Sequence, residues 1–449
     1  MKHVVLGFAF LAMMATPSVS GQMPGSPASS STSPTNQTAT SQTARELTLK
    51  AAEATGLRNN PQITIGKLQA LEAREFVREA RSRLMPQASV NVTGVEADPG
   101  SRVSAGTLTN GRIWTRAAGG VEVSQLVTDF GRTWNLVSSS EYQQKAADQN
   151  AVATVQQVML AVDQAFYSAL ESKALLHVAQ ETVKARQLLV DQVQALTTAK
   201  LKSDLDLAFA KVDLARAKLL MLDAQNNYEA SLSTLSAVLG YPDRQDFAPV
   251  EPAAALAPPA PDAAPFIQQA LDLRPEVKAL RNEVTATERF SRAEHDLWWP
   301  TVSALGIVGG APVRDPNITS WYGAVGVNIN IPVFNGFLFN ARAKTADLAT
   351  QVQQKKLQDL QDNVARDVRN SWLGTQNSFE RLTVTQQLRE QAGLALELAE
   401  ARYRLGLGTI VELSQAQLAK TDADIQDTDA HYGYAVSQID LAYAIGLPR

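Results

Sequence analysis

The 449-residue sequence contains no cysteine. Disulfides, thiol nucleophiles and cysteine-ligated metals are excluded, and the redox compartment stays open. A lipid anchor on an N-terminal cysteine is excluded for the same reason. Histidine is scarce: His3, His177, His295 and His431 are scattered, without the H-x-x-x-H spacing of a zinc site. Basic charge is not in excess, because 41 Lys+Arg face 45 Asp+Glu for a net charge of −4. No basic field invites nucleic acid. Beyond Ser20 no apolar run reaches the ~20 residues of a membrane helix. Any passage through a bilayer core then falls to β-strands.

Proline and glycine are missing where it matters most. Between Arg132 and Leu239 neither occurs over 108 residues, and no proline occurs from Val333 to Leu447. Both residues break helices, so their absence permits very long ones. Apolar spacing agrees. Val155, Met159, Val162, Phe166 and Leu170 form a stripe of helical period, as do Leu357, Leu360, Val364, Val368 and Trp372. A helix from Arg132 to Leu196 would run roughly 100 Å, and it needs partners along its whole length.

What is present is a duplication. Pro61 and Pro86 lie 25 residues apart, as do Pro275 and Pro300, with an offset of 214 between the copies. Each copy ends alike, in "LSAVLGYPD" and "LAYAIGLPR", with a Gly past the helix and a Pro two residues later. Each long helical segment also needs a turn. "LGLGTIVEL" supplies one, where Gly406 and Gly408 interrupt the helix and Thr409 with Glu412 spells a capping box. "TTAKLKSDLDL" supplies the other, with Ser203 and Asp206 in the capping positions and no glycine.

The N-terminus has a positive start at Lys2, an apolar run from Val4 to Met14 and small residues at Ser18 and Ser20. This predicts a secretory signal over residues 1–20. A disordered Ser/Thr/Pro-rich leader is expected over 21–44. Repeat 1 then covers 45–241, with a helix, a β-hairpin at 87–127 and a long helix pair at 132–239. A Pro/Ala-rich linker spans 242–265, as extended chain or laid against a surface. Repeat 2 covers 266–449, with a helix, a hairpin at 301–333 and a helix pair at 337–445.

Strands are expected only in the two hairpins. In "SWYGAVGVNINIPV" the residues Val325, Val327, Ile329 and Ile331 alternate with Ala324, Gly326, Asn328 and Asn330, giving one apolar face suited to lipid. "ASVNVTG" and "GVEVSQLV" alternate similarly, and "TVSALGIV" completes four strands. Four are too few for a sandwich, and a four-stranded sheet has two open edges. In a bilayer those edges can close only against copies of the same chain. Eight strands make a barrel filled by side chains, and three copies of this chain supply twelve.

This order of helix, hairpin and long helix pair, repeated, resembles the TolC-like outer-membrane efflux proteins. The match runs from about Arg45 to Arg449. It is carried by "NP…LMP" and "RP…WWP", by "QLVTDFGR" and "IPVFNGF" at strand-to-helix junctions, by "RYRLGLGTIVELSQAQ" at a turn, and by the "LGYP" and "GLP" ends. The resemblance implies a mainly α fold with a small membrane β-barrel: a homotrimer with a 12-stranded barrel in outer-membrane lipid and a 12-helix tunnel in the periplasm. It implies a channel that passively releases substrates delivered by an inner-membrane transporter and a periplasmic adaptor protein. It also implies that the periplasmic tip is gate and docking site, which here falls on Thr198, Lys200, Asp204, Tyr403, Gly406, Gly408, Glu412 and Gln415. Tyr403 and Glu412 match the family's tip aromatic and acid. Gly408 stands where some members have a constricting Arg, and Gln415 where a second acid can occur. Asp129 with Gly131, and Asn335 with Gly336, precede the long helices and are expected to cap them.

No enzymatic constellation is found. "DFG" at Asp129 to Gly131 lacks the HRD and Gly-rich loops of a kinase. No catalytic residue, cofactor or metal site is expected. The alternative is a periplasmic coiled-coil scaffold or tether without a pore, which would leave the Val/Ile strand faces unused.

Overall fold

The computed structural model describes residues 45–96, 102–103, 111–112, 116–252, 258–311 and 319–447. The expected signal and leader lie outside these residues. The chain from Ala44 onward forms one compact unit.

Its elements follow in order: β1 (Arg45–Leu47), α1 (Leu49–Asn59), α2 (Pro61–Ser82), β2 (Gln87–Val95), β3 (Arg102–Val103), β4 (Gly111–Arg112), β5 (Arg116–Thr128), α3 (Arg132–Thr198) and α4 (Asp204–Val238). Then come β6 (Phe247–Pro249), α5 (Ala264–Leu273), α6 (Pro275–His295), β7 (Thr301–Gly310), β8 (Trp321–Asn330), α7 (Leu338–Arg404) and α8 (Ile410–Ile445).

The two prolines that begin the duplicated segments split helices. Pro61 and Pro275 cannot donate a backbone hydrogen bond, so each starts a new helix directly after a short one. The sequence pattern predicts one helix before each hairpin, whereas two are present in each half. Asn60 fixes the first break, accepting from Gln62 N at 2.9 Å and donating from Nδ2 to Val238 O at 2.9 Å. Gly240 ends the first half at φ 84°, and an added Cβ there would lie 2.7 Å from Asn59 O. Only glycine fits both that backbone and that approach. Gly446 repeats the arrangement against Arg274.

α3 and α7 contain 67 residues each, roughly 100 Å at 1.5 Å per residue. Each is matched over its far end by a returning helix, α4 or α8; over the near end α3 packs against the shorter α2 and α6, and α7 against α6. Many buried positions along these contacts are alanine, such as Ala165, Ala169, Ala210, Ala217, Ala423 and Ala430. Small residues let helix axes approach closely, and contact along the length holds helices that propensity alone would not. Phe166, Leu232, Leu235 and Leu239 form the central cluster, closed by Leu47 and Phe247.

Leu47 and Phe247 bring in two strands that the sequence pattern does not predict. β1 and β6 pair in parallel, three residues each. Three residues are too few for period-two alternation to register, and β6 lies inside the proline-rich segment with Pro249 at its end. That segment lies along the helices: Lys173 Nζ donates to Pro249 O at 3.1 Å and Trp372 Nε1 to Ala260 O at 2.9 Å.

The main sheet is antiparallel in the order β2-β5-β7-β8. Both hairpins therefore contribute neighbouring strands, and β2 and β8 are open edges among the described residues. Below the sheet, the buried Glu294 receives Arg342 through Nε at 2.6 Å and Nη2 at 2.9 Å, tying α6 to α7. Such two-pronged pairing offsets the desolvation of a buried carboxylate.

Candidate functional site: the membrane face and the helical tip

The register sorts the sheet into two faces. One carries Val90, Val121 and Val308 in a row, with Val123 and Val325 in the row below. The other is mixed: it carries Ser89, Asn91, Glu122, Ser124, Ser303 and Asn328, together with Leu126, Leu305 and Ile307. Val325, Val327 and Ile329 belong to the apolar face and are exposed, Val325 by 92 %. Ile331 lies one residue past the end of β8, so it is outside the strand in which the alternation places it.

At the helix end of the sheet, Phe130, Trp299, Phe334 and Phe337 are all exposed. Phe130 stacks on Trp299 at 5.6 Å, and Phe334 meets Phe337 edge-on at 5.9 Å. Aromatic rings collect at membrane–water boundaries because one part of each can lie in hydrocarbon and another near headgroups. The sequence shows this group only as isolated aromatics around "WWP" and "VFNGF", because the fold is what assembles them.

The junctions between strand and helix are equivalent in the two halves. Phe130 and Gly131 take φ of 56° and 108°, and their counterparts Gly336 and Phe337 take 60° and 65°. Asp129 is buried, and its Oδ2 accepts from Thr133 N at 2.8 Å and from the Thr133 hydroxyl. Asn335 accepts from Phe339 N at 3.5 Å, a looser contact, while its Nδ2 is buried without a partner.

At the opposite end of the long helices lie two turns of equal length. Thr198 ends α3 and Arg404 ends α7; Ser203 caps α4 and Thr409 caps α8. Lys200, at φ 58°, occupies the left-handed position that Gly406 occupies at φ 73°. Ser203 and Asp206 form a complete capping box at 3.1 and 3.2 Å. In the other turn Thr409 Oγ1 accepts from Glu412 N at 3.2 Å, but the Glu412 carboxylate turns instead towards Arg402, 3.9 Å away.

Tyr403 is only 5 % exposed, and its hydroxyl has no hydrogen-bond partner. Burial, with a smaller contribution from Asp206, pushes its phenol pKa up. Lys202 Nζ sits 4.0 Å from the centre of the Tyr403 ring, a cation–π contact between the first turn and the second helix pair. Two further contacts join the pairs. Ser414 Oγ donates to Asp213 Oδ2 at 2.5 Å, and Arg186 Nη2 lies 3.5 Å from Thr421 Oγ1. Asp213 and Arg186 are both 6 % exposed. Burial pulls the Arg186 pKa down, opposed by Asp213 and Glu400.

Thr198, Asp204, Gly406, Glu412 and Gln415 are exposed at this end, and Gly408 is half-buried against Arg402 and Glu412. Gln415 lines a groove of about 240 Å³ with Leu205, Phe209, Val212 and Val411. The sequence does not single out Lys202, Asp213, Arg186, Ser414 or Thr421, since their partners are distant in the chain.

Comparison with known proteins decides the family. The family model described as "Outer membrane efflux protein" matches residues 55–241 and 266–447. The chain belongs to this family. It is 23 % identical over 410 residues to the outer membrane protein TolC of Salmonella enteritidis, covering 86 % of this chain and 79 % of that one. It is 25 % identical over 416 residues to TolC of Vibrio cholerae, covering 86 % and 88 %. The Campylobacter jejuni CmeC outer membrane channel superposes with a TM-score of 0.77 at 17 % identity, covering 89 % of this chain and 85 % of that one. The open state of the Neisseria gonorrhoeae MtrE outer membrane channel gives 0.73 at 19 % identity, covering 89 % and 88 %. The fold is that of a TolC-like channel. This efflux protein is therefore placed in the outer membrane, with its helices extending into the periplasm.

Proposed function

We propose that three copies assemble into a passive exit duct, the outer-membrane part of a tripartite efflux or secretion system. The observation that carries this reading is a four-stranded sheet with a valine face and two open edges, at one end of two helices of 67 residues each. Unpaired edge groups cost several kcal/mol each in hydrocarbon, so copies complete the barrel edge to edge. The polar face, with Glu122, Ser303 and Asn328, then lines the lumen. Leu219, Leu222, Leu348, Val352, Leu373 and Leu398, exposed on the long helices of one copy, give neighbouring copies apolar surface to cover.

In this reading the tip is the gate and the contact point for a periplasmic adaptor, with the inner-membrane transporter supplying the energy. Thr198, Lys200, Asp204, Tyr403, Gly406, Gly408, Glu412 and Gln415 form the exposed rim or its immediate support. Gly408 and Gln415 supply neither the Arg nor the second acid of some relatives, so closure is assigned to Lys202–Tyr403, Ser414–Asp213 and Arg186–Thr421. Selectivity follows from lumen width and rim charge.

Single-channel recording in planar bilayers tests this. Wild-type protein should show small, rarely open channels, and Asp213→Ala or Ser414→Ala should raise mean conductance severalfold. Unchanged conductance in both variants would remove the gate from these contacts, and absence of any channel would remove the duct.

A further inference from the structure

The apolar face of the sheet is not uniform. Gly306 on β7 and Gly323 on β8 lie diagonally across one face and leave a shallow, open groove of about 390 Å³ that runs between Val308 and Val325, with Val121 and Val123 of β5 beside it. The groove is open to the outside, and its lining offers no charged or hydrogen-bonding side chain. Nothing polar could be recognised there. An alkyl chain could, through dispersion contacts with the four valines.

The geometry points to a seat for one acyl chain of a membrane lipid. This rests on the proposal that the valine face lies in the bilayer. Three observations select the occupant. The groove is on the outward face and is formed chiefly by β5, β7 and β8, whereas neighbouring copies would join at the free edges of β2 and β8. It lies towards the end of the sheet remote from the helices, because Gly323 is two residues from the start of β8 and Gly306 pairs with Val325. With the helices in the periplasm, that is the outer-leaflet side. Trp321 stands beside this end: it is exposed, and its Cζ3 would lie 3.5 Å from a Cβ on Gly323. An indole there stands where the chain would meet its headgroup region.

The glycines make the proposal testable without damage to the sheet. A Cβ on Gly306 would meet nothing within 4 Å, so a valine there fills the groove and leaves the strands in place. The experiment titrates detergent-solubilised full-length protein with a phosphatidylcholine carrying one dibrominated stearoyl chain. The readout is the part of tryptophan quenching that disappears in Trp321→Phe. The expected result is saturable quenching, with an apparent affinity at least tenfold weaker in Gly306→Val and weakened in Gly323→Ala. Replacing the headgroup by phosphatidylglycerol should change nothing, because the chain is what is bound. Quenching that rises in simple proportion to lipid, equally in wild type and both variants, would mean ordinary solvation of the barrel and would overturn the seat alone. Absence of Trp321 quenching even in vesicles made wholly of the brominated lipid would overturn the membrane placement with it.

Discussion

Lys200 and Gly406 do the same job with different chemistry. Both hold the left-handed backbone that reverses a long helix into its partner, and a side chain there costs about 1–2 kcal/mol relative to glycine. Lys200→Gly should stabilise the turn by about 1 kcal/mol and Gly406→Ala should destabilise its counterpart by a similar amount. Thermal melting of the detergent-solubilised protein checks both. A second residue-scale feature is the carboxylate pair Glu171 and Asp429. Burial pushes both pKa values up, Glu171 further by the Asp429 charge, while Arg381 opposes the shift at Asp429. Nearby, burial and then Glu251 and Glu171 push Tyr432 up to about 12. A carboxyl with a raised folded-state pKa contributes its full stability below its unfolded value and loses it as pH rises through the folded value. Glu171→Gln should therefore melt higher than wild type at pH 7, and the advantage should vanish near pH 4. An advantage that is constant across pH would contradict the assignment.

Elements differ in how plainly the sequence states them. The long helices were legible because 108 residues without Gly or Pro leave few alternatives, and α3 and α7 reach Thr198 and Arg404. The membrane hairpins were legible from period-two alternation. β1 and β6 were not, since three residues carry no period and their pairing spans 202 positions from Arg45 to Phe247. The tip was half legible. Gly406, Gly408 and the two capping motifs mark the turns, but the Lys202–Tyr403 and Ser414–Asp213 contacts form only after distant helices pack. The register gives a sharp test at this scale. Val327 is on the valine face and Asn328 on the polar one. In the proposed duct Val327→Asp would place a charge in hydrocarbon at about 1–3 kcal/mol per copy, and should prevent membrane assembly, while Asn328→Asp should be tolerated. Equal membrane fractionation of the two variants would contradict the assignment of faces.

At the scale of the whole molecule, duplication explains the architecture. Each half contributes two strands to one sheet and one pair of long helices, and their turns and junctions match at a spacing of 206 residues, as in Arg132 with Leu338 and Ser203 with Thr409. The opening prolines keep an offset of 214, so the first hairpin is eight residues longer than the second. Equal helices demand equal spacing, since an inserted residue would rotate everything beyond it by about 100°. Among the described residues the sheet of a single chain is left open at β2 and β8, so the proposed duct needs further copies to close it. Native mass spectrometry on detergent-extracted, full-length protein counts those copies. Three chains per particle and no stable particle without detergent are expected; a monodisperse single chain in plain buffer would rule out a barrel shared between copies.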